Sequence, residues 1–563
     1  MPGGIAARLA SIRPDRRTLR RDAIAGVPGA IAGVPDGMAT AVLAGVNPIH
    51  GLYAGFAGPI AGGLTSSTRL MVITTTGASA LAAGSALEGL DPADRSTGLF
   101  LIVAVAGALM IAAGLLRLGR YTRFVSVSVM TGFLTGVAAN IILGQLPVLA
   151  GADAAGSTSL AKALDLTTHP SEIEPASLFV GLSALVLFAV LAHTRIAPFA
   201  SIVALAVPTL LTLGVASIER VDDVGDIPQG VPVPHLPDLG LLFSLSVVTG
   251  ALSIAAIVLV QGAGVSEAAP NPDGTMSDSS RDFIAQGAGN VAAGLFRGTP
   301  VGGSVGQTAI NVASGARTRW ASVFVGIWML TILVAFSGVV GRVAMPTLAA
   351  VLIYAASRSI RVGGIQTVFR TGRTSQIAIV TTFLATLFLS IPQAVGIGVA
   401  LSLLLQLNKE ALDLTLVELV PRLDGRFEER PAPARLRSRD VTLIDVYGSL
   451  YYAGSRTLQA KLPDPAGAES PVVVLRLRGR TALGATAFVV LAGYADRLHD
   501  VGGRLFLSGV DRGLLAQLQR TQKVDVDGRV HVFEATTVVG ESSSEAHRQA
   551  QAWLEGRARE EPT

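Results

Sequence analysis

The chain has 563 residues, half of them apolar and only 15% charged, with a mean hydropathy of +0.54, a balance that excludes an ordinary soluble protein and implies an integral membrane one. It contains no cysteine, which excludes disulfides, thiolate metal sites and cysteine nucleophiles, and its seven histidines are scattered without ligand spacing. Arginines flanking the apolar runs account for the net charge of +4, so no nucleic-acid partner is implied.

Residues 1–22 form a basic tail containing RLASIRPDRRTLRRD. The apolar run that follows, AIAGVPGAIAGVPDGMATAVLAG, exceeds a signal-peptide core and is succeeded by many more, so the arginines are expected to hold the amino terminus in the cytoplasm. Apolar runs continue over residues 23–413, and cutting them at polar breaks gives about fourteen segments, two of them short. Asp36 lies in GVPDGMAT, near the middle of the first. A carboxylate there costs roughly 2.5–3.5 kcal/mol on insertion scales and ties its protonation to local charge and hydration, as proton coupling requires. The alternative is a cap on a helix break between Pro35 and Gly37.

The third segment, STRLMVITTTGASALAAG (67–84), begins polar, carries Thr74, Thr75 and Thr76, and becomes a short Ala/Gly-rich helix. Gln261, in AIVLVQGAG, is either hydrogen-bonding glue between helices or a ligand. Further on, RGTPVGGSVGQTA (297–309) breaks an apolar run with four glycines and a proline. Each unpaired N–H would cost several kcal/mol in hydrocarbon, so such a break must face protein or a water-lined cavity. A helix starting near Ser304, a suitable N-cap, aims its N–H groups and positive dipole end at that cavity and makes an anion site, with Gln307 and Thr308 on its first turn. Arg69 and Arg297 stand at the mouths of the two breaks and are expected to snorkel to the interface. Glycine-mediated helix packing would explain either break alone; the pair points to a transporter of inverted repeats that holds substrate at the midplane.

Loops 117–123, 192–198, 314–320 and 357–373 are arginine-rich and assigned to the cytoplasm, whereas 88–96, 151–175 and 219–238 are acidic or mixed and assigned outside. Loop 264–282, placed inside, is acidic and runs against this scheme. An even number of crossings puts both termini in the cytoplasm of a cell (inner) membrane protein. Residues 414–440, with RFEERPAPARLRSRD, read as a linker, and 441–563 alternate strand and helix as a small α/β layer plus a tail.

PIHGLYAGFAGPIAGGLTSSTRL (48–70) and DFIAQGAGNVAAGLFRGTPVGGSVGQTAINVASGARTR (282–319) resemble the SulP (sulfate permease) family, as do MPTLAAVLIYAA (345–356) and IPQAVGIGVALSLLLQLNKE (391–410). LRLRGRTALGATA (475–487) resembles the STAS domain that follows SulP membrane regions. The resemblance implies a polytopic α-helical membrane protein of fourteen segments in a 7+7 inverted repeat, broken at segments three and ten, with a cytoplasmic STAS domain. It implies a homodimer that moves sulfate, bicarbonate or a dicarboxylate by alternating access, through proton symport or anion exchange, with no enzymatic activity, cofactor or metal. Substrate would lie between segments three and ten, with Thr74, Thr75 and Thr76 facing Ser304, Gly306, Gln307 and Thr308.

The family generally has an acid where Gln261 stands and often an arginine where Gln307 stands. Their absence argues against sodium coupling and suggests that the ionisable group has moved to Asp36. Two other readings stay open: a nucleobase-type permease of the same architecture, and a transport-impaired membrane protein whose STAS domain is its working part. Gly484, Ala485 and Thr486 replace the family's regulatory loop, so no phosphorylation switch is expected.

Overall fold

The computed structural model describes residues 16–124, 126–156, 158–215, 217–224, 232–389, 391–412, 414–422, 426–450, 452–524 and 528–560. They form two compact units, divided in sequence between Ser402 and Leu403, within the last helix of the first.

In the first unit the same run of elements occurs twice. The first half has α1 (Arg16–Leu43), α2 (Ile49–Thr65), strand β1 (Ile73–Thr75), α3 (Gly77–Leu87), α4 (Arg95–Leu115), α5 (Val127–Ala150), α6 (Ser159–Thr168), α7 (Pro175–Leu191) and α8 (Ala200–Leu211). The second has α9 (Leu245–Ala268), α10 (Ser279–Leu295), strand β2 (Val301–Gly303), α11 (Val305–Ala313), α12 (Trp320–Val340), α13 (Met345–Ser359), α14 (Val362–Thr371), α15 (Arg373–Phe388) and α16 (Ile391–Leu412). With each strand and the short helix behind it taken as one segment, and α6 and α14 set aside as short connecting helices, each half has seven segments among the described residues. The packing repeats as well: α4 lies along α10 as α2 lies along α12, and α9 meets α4 as α1 meets α12.

Pro92–Leu115, Val127–Ala150 and Leu245–Ser266 are each long and apolar enough to cross a membrane, and Met345–Thr371 reaches that length only where α13 and α14 are taken together. Several of the others, such as Pro175–Leu191 and Ala200–Leu211, are apolar but shorter, whereas α2 is rich in small residues because it faces protein. In α2, Gly51, Leu52, Tyr53, Ala54, Gly55 and Phe56 are all buried. Its approach to α1 is so close that a Cβ at Gly51 would stand 1.7 Å from the Gly37 carbonyl oxygen.

Several expectations change. The 357–373 loop contains α14, and the 151–175 loop contains α6; short helices punctuated by charge lack the long apolar run by which a segment is recognised. Residues 414–440 are not a plain linker, since they carry strands β3 (Thr415–Pro421) and β4 (Phe427–Pro431). Their mutual antiparallel pairing leaves one of them an exposed edge, where charge and proline replace the usual apolar alternation. Two carboxylates of the acidic 264–282 loop have partners within the protein. Asp282 is buried and accepts from the backbone N–H groups of Ser67 (2.7 Å) and Thr68 (3.0 Å) and the hydroxyls of Ser66 (2.9 Å), Ser67 (2.9 Å) and Thr68 (2.5 Å). Asp273 pairs with Arg69 at 2.7 Å, so Arg69 is held in an ion pair rather than only snorkelling. Acids consumed in this way weigh little in the topology rule, which counts arginine and lysine.

The second unit is a six-stranded sheet in the order β4-β3-β5-β6-β7-β8, where β5 is Val441–Tyr447, β6 Val472–Arg476, β7 Arg504–Val510 and β8 Val530–Glu534. Strands β5 to β8 are parallel, and β3 joins β5 antiparallel. Parallel strands need helical crossovers, supplied by α17 (Tyr452–Lys461), α18 (Ala485–Asp500) and α19 (Arg512–Thr521), with α20 (Glu541–Glu560) at the end. Alternate residues face opposite layers. Ile444, Val473, Leu475 and Leu507 pack with Leu458, Leu491, Tyr494 and Leu518 of the crossover helices, whereas Leu443, Val472, Val474 and Phe506 pack with Ala546 and Ala550 of α20.

Candidate functional site

Strands β1 and β2 cross antiparallel, with Ile73 opposite Gly303, Thr74 opposite Gly302 and Thr75 opposite Val301. They solve the problem that unwound backbone poses inside a membrane, since each supplies hydrogen-bonding groups to the other. Several of the remaining groups have partners from neighbouring elements. Ser304 N–H donates to the Val72 carbonyl at 3.0 Å. Val72 N–H donates to the Thr308 hydroxyl at 3.1 Å. From α10, the Asn290 amide accepts from Val301 N–H at 3.0 Å and donates to the Val301 carbonyl at 2.6 Å, and Gln286 Oε1 accepts from Gly303 N–H at 3.1 Å. Both amides are fully buried.

A helix begins immediately beyond each strand. Thr76 is extended (φ −135°, ψ 142°) and caps α3, its hydroxyl accepting from Ser79 N–H at 3.4 Å. Ser304 (φ −93°, ψ 118°) caps α11 in the same way, accepting from Gln307 N–H at 3.3 Å. The first amides of each helix, Gly77 and Ala78 in one and Val305 and Gly306 in the other, have no carbonyl partner within their own helix. Two positive helix ends thus start from a common crossing. Space lies open at one of them: Gly306 is exposed, and a Cβ built there meets no atom within 4 Å.

Around these ends stand the polar side chains singled out in the sequence. Gln307 is buried, and its Nε2 donates to Asp36 Oδ2 at 3.0 Å. Asp36 sits within the continuous helix α1, so it does not cap a break between Pro35 and Gly37. The Thr76 hydroxyl approaches Gln261 Oε1 at 3.3 Å. Thr74, Thr75 and Thr76 are buried along the crossing. Thr308 holds the Val72 amide, which makes it a structural clamp between segments three and ten. The crossing therefore gathers Asp36, Thr74 to Thr76, Gln261 and Ser304 to Thr308 from four segments. Asn290, Gln286 and Ser79 were missed. For the two amides the available signal was their spacing of four residues, which places both on one face of an intramembrane helix.

Residues 19–385 match the family described as the sulfate permease family. Over 531 residues the chain is 27% identical to a probable sulfate transporter of Mycobacterium tuberculosis, an alignment covering 92% of this chain and 94% of that one. It is 22% identical over 515 residues to the bicarbonate transporter BicA of Synechocystis, covering 90% and 91% respectively. Among solved structures it resembles SLC26A9, with a TM-score of 0.81 at 17% identity over 96% of this chain and 92% of that one. The transmembrane domain of a cyanobacterial BicA gives 0.62 at 22% identity, over 68% of this chain and 99% of that one. The solved structures agree with the fold, and the α/β layer of the second unit is consistent with a STAS domain. A family match over most of the chain decides the classification: this protein belongs to the sulfate permease family, whose members are anion transporters and not enzymes.

Proposed function

We propose that the protein is a secondary transporter of a small anion of the sulfate, bicarbonate or dicarboxylate class, working by alternating access and coupled to protons through Asp36. The observation that carries the reading is the pair of capped helix N-termini on either side of the β1/β2 crossing, with open space in front of Gly306. Free N–H groups and the positive dipole ends favour an anion there. No arginine is needed to make such a place attractive, which fits glutamine at position 307.

Asp36 then sets the coupling. An ionised carboxylate beside the anion repels it, and the repulsion is strong where water is scarce. Protonation removes that cost, so proton and anion favour each other's binding by equal amounts. Gln307 suits the role of go-between. Its Nε2 donates to the carboxylate, while its buried Oε1 has no hydrogen-bond partner among the described residues. Rotation of the amide would offer that oxygen to a protonated Asp36. The termini face the cytoplasm in this reading, supported by the arginine-rich loops, and the protein works as a homodimer, as the family resemblance implies.

The test is flux in proteoliposomes across sulfate, bicarbonate, chloride, oxalate, succinate and fumarate, with and without an inward proton gradient, for the native protein and Asp36→Asn. Saturable uptake of one anion, stimulated by the gradient in the native protein and indifferent to it in the variant, is expected. Gradient stimulation that persists in the variant would remove Asp36 from the mechanism, and no flux of any anion by folded protein would overturn transport.

A further inference from the structure

Each half of the membrane unit places a short helix between its fifth and sixth segments, and the two copies differ in charge. Helix α6 carries Lys162 and Asp165 and no arginine. Helix α14 and its flanks carry Arg358, Arg361, Arg370 and Arg373, all exposed, in a stretch where no acidic residue occurs from 283 to 409. The repeat fold demands a helix here, but it does not demand four arginines.

The rest of α14 is amphipathic. Val362, Ile365, Val368 and Phe369 recur at helical spacing. Val368 is buried, whereas Val362 is 59% exposed and Phe369 44% exposed. Backbone at Ile360 (φ −75°, ψ 102°) separates α14 from α13, and Gly372 (φ 147°) separates it from α15. A short helix with uncovered apolar side chains beside four exposed arginines suits the boundary between acyl chains and headgroups, where both kinds of group are satisfied. Guanidinium groups pair with phosphate oxygens through two parallel hydrogen bonds.

We propose that α14 with Arg358, Arg361, Arg370 and Arg373 is a binding site for the phosphate headgroups of anionic glycerophospholipids. The leaflet rests on the topology proposed above; the binding does not. Helix α14 connects α13 to α15, and both pack against α5, so the lipid site is attached directly to helices of the transport unit.

The experiment uses purified, delipidated full-length protein titrated with phosphatidylglycerol or phosphatidylcholine, with bound lipid counted by native mass spectrometry. Four proteins are compared: the native chain, the variant with all four arginines changed to glutamine, the same four changed to lysine, and a charge-matched control with Arg422, Arg437, Arg512 and Arg520 changed to glutamine. The native chain and the control are expected to prefer phosphatidylglycerol over phosphatidylcholine. The α14 glutamine variant is expected to bind phosphatidylglycerol roughly tenfold more weakly, with lysine intermediate because it keeps the charge and loses the paired geometry. Equal affinity of the native chain for the two lipids would overturn the proposal without reference to any variant. So would undiminished phosphatidylglycerol binding by the glutamine variant, or displacement of the lipid by an equal concentration of glycerol phosphate. Because binding is read directly, absence of anion flux would count against the transport reading and leave this one standing.

Discussion

At the scale of single residues the site contrasts side chains that hold the backbone with positions that leave room. Asn290 and Gln286 hold it, and so does Thr308. Removal of any of them strands a buried N–H or carbonyl, at a cost of about 1–3 kcal/mol for each group left unpaired. Gly306 leaves room. A leucine there extends into the open space in front of α11, where no atom stands within 4 Å of the first carbon. Gly306→Leu should therefore fold and melt like the native protein while raising the KM for its anion about tenfold, equivalent to roughly 1.4 kcal/mol of lost binding. A melting curve and a concentration series of uptake check the two halves; an unchanged KM would take Gly306 out of the anion's path. Asp36 was legible in the sequence because a charge within an apolar run needs a reason. The neutral Asn290 was not, because an amide fits a packed helix nearly as well as an alanine until the strand it pins is known.

Elements were legible where one physical pattern dominated. The TTT and GGSVGQT breaks announced their short helices through polarity and glycine, and the alternation expected over 441–563 appears as strands β5 to β8 with their crossover helices. Where two patterns competed, the reading failed. Arginines masked the apolar face of α14, and edge-strand charges disguised β3 and β4 as linker. Close contact between elements was least legible, because glycine marks both a break and a packing surface. The α1/α2 contact is the clearest case of packing. Gly51 stands where a Cβ would overlap the Gly37 carbonyl, and both groups belong to backbone that cannot swing aside as a side chain can. Gly51→Ala is expected to separate α1 from α2, lower the melting temperature of the purified protein and displace Asp36 from Gln307. The destabilisation should be about 3 kcal/mol or more, the range of a severe overpacking. A variant that melts with the native protein would show that the two helices yield more easily than their backbones suggest.

At the scale of the molecule, the repeat is what the sequence could suggest only indirectly. Beyond the paired breaks at 67–84 and 297–309, the residues show no similarity between the halves. The common order of elements, the antiparallel crossing of β1 with β2, and the paired packing of α4 on α10 and α2 on α12 appear only in the folded chain. An inverted repeat fixes the sidedness of corresponding loops: those at equivalent places in the two halves must lie on opposite faces of the membrane. The loop holding α6 and the loop holding α14 are such a pair, one mixed in charge and one purely basic. The native chain has no cysteine, so a single introduced thiol reports its side of the membrane without background. Ser171→Cys, in the α6 loop, and Ser96→Cys, at the start of α4, are expected to react with a membrane-impermeant maleimide added to intact cells. Ser359→Cys, beside α14, should react only after the membrane is permeabilised. Labelling of Ser171→Cys and Ser359→Cys from the same side would contradict the inverted repeat itself, whereas opposite sides in the reverse sense would keep the repeat and turn the whole protein over. The arginine excess of the α14 loop is the ground for expecting the first orientation, because charges of that sign are retained on the cytoplasmic face during insertion.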